Sequence, residues 1–348
     1  MQGAIRAIAA CTALAAAWWA MPADAYQSRQ IRDYYVVCSN GLTCELAIHN
    51  FDTPLTGLAV ERGGGPSSPV TIRFDMAMAL EEGSEMTVAV DGAAPVRFPV
   101  SAMTADADDL AYRLSEAVHV DALVEAFQDG NSAEIGYRTA EGETASPYSL
   151  AGMKAGMLFM DEAQGRLNAT DALVSKGERE PDAPAVRDIA TVEALPAAIR
   201  GQFADERGDC YVYDAKQFGR GSGFEAQLSD TAYLIGVPCG SPGAYNQPYV
   251  FFVRAGERAT PLHLPVMTQF GPSTEPYAWN VSWKHRERIM EGFFKGRGVG
   301  DCGVFSRWVL NDEMPEPAFI LREMRVKEDC DGDNMGGVEF WPPVWPLQ

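Results

Sequence analysis

The sequence predicts a mainly β protein with a few helices, of the α+β class. A β-sandwich-like N-terminal domain with two helices is expected first, then an antiparallel all-β C-terminal domain. Three observations carry that expectation. Short β-prone runs recur along the chain, separated by joints rich in glycine, proline, asparagine or acidic residues. Apolar stripes at helical spacing are confined to two stretches. The cysteines after Cys11 fall in close pairs, with a cysteine-free span, 45–209, between the first pair and the other two.

The chain has 348 residues, enough for two cores at about 100–200 residues per domain. Residues 1–25 read as a secretory signal: Arg6 gives a basic start, 7–21 are almost purely apolar, and Ala23-Asp24-Ala25 is an A-x-A cleavage site. That apolar stretch is shorter than the roughly 20 residues a bilayer span needs, and no later stretch qualifies, so no transmembrane segment is expected. Ile8-Ala9-Ala10-Cys11 resembles a lipoprotein box, but cleavage there leaves too short an apolar core before it. Export puts the mature chain in the periplasm or outside the cell, where disulfides persist.

The first domain is expected over 26–174. Residues 34–48 read as a hairpin turning at Ser39-Asn40-Gly41, since Asn-Gly is a strong turn signal. Strands are expected at 69–76, 86–90 and 96–100. A helix is expected at 121–129, with Val120, Leu123, Val124 and Phe127 on one stripe, Asp121 as N-cap and Gly130 as stop. Alternation over 133–137 reads as a strand. A second helix is expected at 149–163, capped by Ser149, with Leu150, Met153, Met157 and Leu158 on one side as core filler. Residues 175–200 are charged and proline-containing, and read as a linker with a helical turn near 192–199. The second domain, 201–348, carries β-rich runs at 210–213, 232–237, 249–253, 278–283, 292–294, 304–310 and 319–326, spaced as in a sandwich or barrel. Trp279, Trp283, Trp308, Trp341 and Trp345 all lie in it.

Six mature cysteines allow many pairings. The sequential one, Cys38–Cys44, Cys210–Cys239 and Cys302–Cys330, is preferred because each bridge closes a loop within one candidate domain. No C-x-x-C motif suggests redox chemistry, and no pair has the close spacing of zinc ligands. The formal net charge is −20, most of it in the first 200 residues. Such a surface repels nucleic acid and anionic lipid, so no nucleic-acid partner is expected.

Candidate chemistry concentrates near the C-terminus. In Lys295-Gly-Arg-Gly-Val-Gly-Asp-Cys-Gly303 the glycines formally match a dinucleotide fingerprint, but no helical pattern follows. The string reads as a tight backbone path beside a bridge, with Lys295, Arg297 and Asp301 available to a small polar ligand. Asp329-Cys-Asp331-Gly-Asp333-Asn334 resembles a calcium loop without glycine or glutamate at the required positions, and reads as a solvated acidic turn. Trp341-Pro-Pro-Val-Trp345 reads as core or edge cover; the alternative is a stacking or docking surface. His49, His119, His263 and His285 fit no catalytic or metal spacing. No catalytic residue, metal site or cofactor is assigned.

Several strings together resemble the bacterial domain-of-unknown-function family 1176: Cys38-Ser-Asn-Gly-Leu-Thr-Cys44, Ser149-Leu-Ala-Gly-Met-Lys-Ala through Met160-Asp-Glu-Ala-Gln-Gly-Arg166, Val237-Pro-Cys-Gly240 with Ala244-Tyr-Asn246, the glycine–cysteine string, and the terminal Trp-Pro-Pro-Val-Trp. The N-terminal half is also similar in pattern to the invasion-associated locus B family. The first resemblance implies an exported protein of Gram-negative bacteria in two parts, and carries no activity. The expected function is a non-enzymatic envelope binding or interaction protein, with an envelope protein or glycan as partner and its site around Lys295, Arg297, Asp301, Trp341 and Trp345. The alternative is an envelope hydrolase acting on glycan or peptide through an acidic pair in the C-terminal domain.

Overall fold

The computed structural model describes residues 27–346 except 67, 107–109, 212–217, 219–222, 241–242 and 312–316. The expected signal peptide and the second half of the strand expected at 210–213 lie outside the described residues. The described residues form antiparallel sheets with three α-helices, as a mainly β protein of the α+β class.

In the first half, β1 (Gln27–Ile31), β2 (Tyr34–Cys38), β3 (Cys44–His49), β4 (Leu55–Arg62) and β5 (Val70–Met76) are successive antiparallel neighbours. β6 (Glu85–Val90), β7 (Val96–Pro99), β8 (Met103–Asp106) and β9 (Ala111–Leu114) precede helix α1 (Ala117–Asp129). β10 (Ser132–Thr139), β11 (Gly142–Ser149) and helix α2 (Met153–Ala163) follow. The strands make one sheet in the order β1-β2-β3-β4-β5-β9-β8 and another in the order β11-β10-β6-β7. Alternate residues of both sheets and the apolar stripes of α1 and α2 share one core. Polar ties cross it: Leu55 N donates to Tyr137 Oη (3.1 Å), and Tyr148 Oη donates to the Leu55 carbonyl (2.6 Å).

Both helices begin elsewhere than expected. α1 starts at Ala117, four residues earlier, and Asp121 lies within its second turn, so it caps nothing. Its stripe is the expected one: Val120, Leu123, Val124 and Phe127 are all buried. α2 starts only at Met153, because β11 carries the chain through Ser149 and Gly152 then turns it with φ 105°. From that start the inward positions are Met153, Gly156, Met157, Met160 and Ala163, which leaves Leu158 exposed.

In the second half, β12 (Val186–Ile189) lies within the stretch read as a linker and pairs with β13 (Gly223–Gln227); α3 (Ala197–Ala204) comes between them. β14 (Ala232–Pro238), β15 (Pro248–Ala255) and β16 (Arg258–Leu262) extend this sheet, and β19 (Tyr277–Trp279) also pairs with β15. β17 (Leu264–Thr268) and β18 (Gly271–Glu275) form a separate hairpin. β20 (Ser282–Lys284), β21 (Ile289–Lys295), β22 (Gly303–Asn311), β23 (Ala318–Lys327) and β24 (Pro343–Trp345) make the last sheet, in that order. β14 is buried on both faces. Leu234 joins a core shared with the last sheet, whereas Ile235 and Val237 join one with Ile199 and Phe203 of α3. The disulfides are Cys38–Cys44, Cys210–Cys239 and Cys302–Cys330.

The halves meet at the tip of the β2–β3 hairpin, residues 39–43. Leu42 belongs to the core of the second half and is 3% exposed. Asn40 Nδ2 donates to the Val281 carbonyl (3.0 Å), and Trp283 N donates back to Asn40 Oδ1 (2.9 Å). Ser39 Oγ (2.8 Å) and Gly41 N (3.1 Å) both donate to Asp188 Oδ1. A Cβ on Gly41 would lie 2.2 Å from the Asp188 backbone nitrogen, so this glycine is required by close approach. Asp188 is half-buried, its enclosed Oδ2 has no hydrogen-bond partner, and desolvation raises its carboxyl above the usual range.

Leu42→Ala is expected to cost about 2–5 kcal/mol in urea unfolding, because the cavity opens inside the second core. A raised folded pKa means a stability penalty that is complete above that pKa and disappears as pH falls below the unfolded value. Asp188→Asn keeps an acceptor for Ser39 and Gly41 and removes the charge. Its stability relative to the parent should therefore be most favourable near pH 8 and decline on acidification, as a series of urea melts from pH 8 down through the ordinary carboxylate range would read.

Candidate functional site

Beside the last sheet lies a groove of about 840 Å³ whose walls come from three separated segments. β17 and its turn contribute Met267, Thr268 and Gln269. The end of β23 and the turn after it supply Met324, Val326, Lys327, Glu328, Asp329, Asp331, Asp333 and Met335. The tail adds Pro342 and Val344. Met267 and Met324 pack from outside against the second-half core, so the groove floor is the outer cover of that core.

Each wall has a local cause. Leu264 and Val266 of β17 point inward by strand alternation, and Trp308 Nε1 ties this strand down by donating to the Pro265 carbonyl (2.7 Å). The tail is held by its tryptophans. Trp341 is buried, lies edge-on to Phe293 at 5.6 Å, and donates from Nε1 to the Asn334 carbonyl (3.1 Å). Trp345 Nε1 donates to the Leu321 carbonyl (3.1 Å), and Arg325 Nη1 donates to the Trp341 carbonyl (2.6 Å).

The acidic turn is fixed from behind by the glycine string. Arg297 makes a two-point ion pair with Asp301 (2.7 and 2.6 Å), and Gly332 N donates to Asp301 Oδ2 (2.6 Å). The Cys302–Cys330 bridge joins the same two loops. The Arg297 guanidinium and the Gly332 amide hold the Asp301 carboxyl well below the usual carboxylate range. Gly303 has φ 140°, and a Cβ there would lie 2.0 Å from the Phe294 carbonyl oxygen, so the string is glycine-rich for reasons of backbone path. Lys295 ends β21, where its backbone is held by Asn246: Lys295 N donates to Asn246 Oδ1 (2.9 Å) and Asn246 Nδ2 to the Lys295 carbonyl (2.8 Å).

None of the five residues singled out in the sequence lines the groove, and Lys295, at the end of β21 against Asn246, takes no part in its walls. Arg297, Asp301, Trp341 and Trp345 shape the groove walls, and the lining comes from neighbours of theirs. Asp331 lies in the acidic turn, Met324 in the strand expected at 319–326 and Val344 in the terminal tryptophan string, whereas Met267, Lys327 and Met335 lie outside every stretch read from the sequence. Their signal is faint: isolated residues brought together by pairing that no local pattern specifies. The turn itself is internally satisfied. Asp333 N donates to Asp331 Oδ1 (3.1 Å), Met335 N to Asp333 Oδ1 (2.8 Å) and Gly336 N to Asn334 Oδ1 (3.0 Å). Lys327 Nζ donates to Asp331 Oδ1 (2.7 Å) and to the Asp329 carbonyl, and this ammonium lowers the Asp331 carboxyl. Among the described residues no cluster of three or more histidine, cysteine or acidic side chains could hold a metal ion. His285 is pushed down to about 4 by burial, with Arg286 beside it.

This is the site of a disulfide-bonded, antiparallel β protein, and no helix among the described residues is long and apolar enough to cross a membrane. Bridges of this kind persist in oxidising compartments. The chain belongs to the family described as "Protein of unknown function (DUF1176)", which matches residues 28–348. It is 25% identical over 353 residues to a protein titled "Uncharacterized protein YpfG" from Escherichia coli (strain K12), across 94% of each chain. It also has a likeness to the crystal structure of invasion associated protein b from Bartonella henselae, at a TM-score of 0.31 and 12% identity, over 40% of this chain and 99% of that one.

The walls make a prediction. A carboxylate with a depressed pKa contributes stability above its unfolded pKa and loses it only as pH falls through the folded value. Hydrogen exchange in 328–337 should therefore stay protected near pH 3.5, where free carboxylates begin to protonate. Asp301→Ala, which removes both carboxylate acceptors, should expose the Gly332 amide at neutral pH, with little change in the global melt.

Proposed function

We propose that this is an exported, periplasmic binding protein that engages an envelope partner through its second half, without catalysis. The proposal takes the chain as a signal peptide, 1–25, a first unit, 26–174, a connecting stretch, 175–200, and a binding unit, 201–348. The groove carries the reading: an apolar floor within a charged rim, of the size that small ligands and peptide side chains occupy. Methionine side chains adapt to differently shaped apolar partners, which suits a surface for association. Arg297, Asp301, Trp341 and Trp345 serve this site by holding its walls, and Lys295 by anchoring the glycine string.

The electrostatics of Asp301 and Asp331 do not suit them to the acid role of a hydrolase. Glycan hydrolysis needs a carboxyl kept protonated by a raised pKa, opposite a second carboxylate across a cleft. Asp301 and Asp331 are both held down by cations, so neither retains a proton to donate.

A photocrosslinking residue at position 335, in the groove, tests this in the native periplasm against one at position 118, exposed on α1. A discrete adduct is expected from 335 and not from 118. Arg297→Ala and Trp345→Ala should each weaken it several-fold while the protein remains folded. Equal adducts from both positions would refute the groove as the binding surface.

A further inference from the structure

Resting on the groove reading above, we infer that the occupant is a cationic peptide segment of a partner protein, carrying an apolar anchor flanked by lysine or arginine. The floor and the rim ask for different chemistry. Met267, Met324, Val326, Met335, Pro342 and Val344 offer apolar contact and no strong donor or acceptor side chain. The rim around them carries Glu328, Asp329, Asp331 and Asp333 against a single lining cation, Lys327. That lysine is 8% exposed and already engaged by Asp331 and the Asp329 carbonyl, so it has little capacity to attract an anion. Among the described residues, Glu328, Asp329 and Asp333 make no ion pair in the rim.

An acidic partner or an anionic lipid headgroup would meet this field as repulsion, deepened by the net charge of −20. A small polycation would satisfy the rim and leave the methionine floor in water. An apolar side chain without charge would fill the floor and forgo the rim. A segment with both parts uses both. Two further apolar side chains stand exposed on the segments that bear the floor. Phe340 stands 62% exposed over the turn that bears Met335, and Phe270 is 92% exposed at the tip of the hairpin that bears Met267.

The test uses the purified mature protein and two synthetic peptides of equal apolar content, one alternating Lys and Leu, the other Glu and Leu. Fluorescence anisotropy should show the Lys/Leu peptide bound about tenfold or more tightly, with affinity falling as salt rises. Glu328→Gln/Asp329→Asn/Asp333→Asn, all exposed changes, should remove most of that preference and flatten the salt dependence. Met335→Ser should weaken the peptide several-fold and leave the salt dependence intact. Glu81→Gln/Glu82→Gln/Glu85→Gln, an equal charge change in the first half, should alter neither. The inference is overturned if the rim variant keeps the preference, if the Glu/Leu peptide binds as well, if neither peptide binds, or if spermine competes as effectively as the Lys/Leu peptide. Equal binding of both peptides that Met335→Ser weakens would remove the charge preference and leave the groove as a binding surface. Insensitivity to both Met335→Ser and the rim variant would remove the groove reading as well.

Discussion

The structure depends on one small constraint, the grip of the second half on residues 39–43. Cys38 and Cys44 join the two strands at the base of this tip, at the pair where β2 and β3 meet. Beyond the bridge, the tip engages the other half through both hydrogen bonds and apolar burial. Asn40 supplies both a donor and an acceptor, Ser39 and Gly41 share one carboxylate oxygen, and Leu42 completes an apolar core otherwise built from residues beyond 185. Buried hydrogen bonds of this sort fix a unique geometry, because leaving any one unmade costs about 1–3 kcal/mol. The six-stranded and last sheets therefore sit in a register set by a turn from the first.

A second theme is what happens to the cations. Lysine and arginine total 28 against 48 acidic residues, and many of the arginines are committed inside sheets. Arg73 lies among Glu45, Glu61 and Asp75, with Arg113 on the far side of Glu61. Arg187 and Arg254 flank Glu225, and Lys284, Glu291, Arg307 and Glu323 alternate across the last sheet. Such cross-strand pairs hold register between neighbouring strands. They also leave the remaining surface acidic, and the rim of the groove is one place where that excess is concentrated beside apolar floor.

The general architecture was legible because its signals are local. Asn40-Gly41 marked the hairpin, the spacing of Val120, Leu123, Val124 and Phe127 marked α1, and β14, β15, β22 and β23 read as apolar runs. Short edge strands such as β1, β8, β16 and β24 carry too few alternations to register, and they form because a neighbour offers a free edge. β4 is long and central, yet its run of buried residues, Leu58 to Val60, masks the alternation expected of a strand. The start of α2 was misplaced because Ser149 and Leu150 suit a helix locally, while pairing with β10 holds Ser149 in a strand. The candidate site was half legible for the same reason. Its walls are marked by rare residues, whereas its floor depends on three segments meeting.

The docked tip also bears on the order of events during folding. The bridge beside it spans a sequence separation of 6, whereas the Asn40–Val281 bond spans 241. The first closure is cheap in chain entropy and the second is dear. A chain delivered from its N-terminus can complete the short hairpin long before residues 281–283 emerge, and must then carry Leu42 exposed until they do. Docking of the tip thus carries the loop-closure cost that the hairpin itself avoids, and it joins a partner available early to one that arrives late.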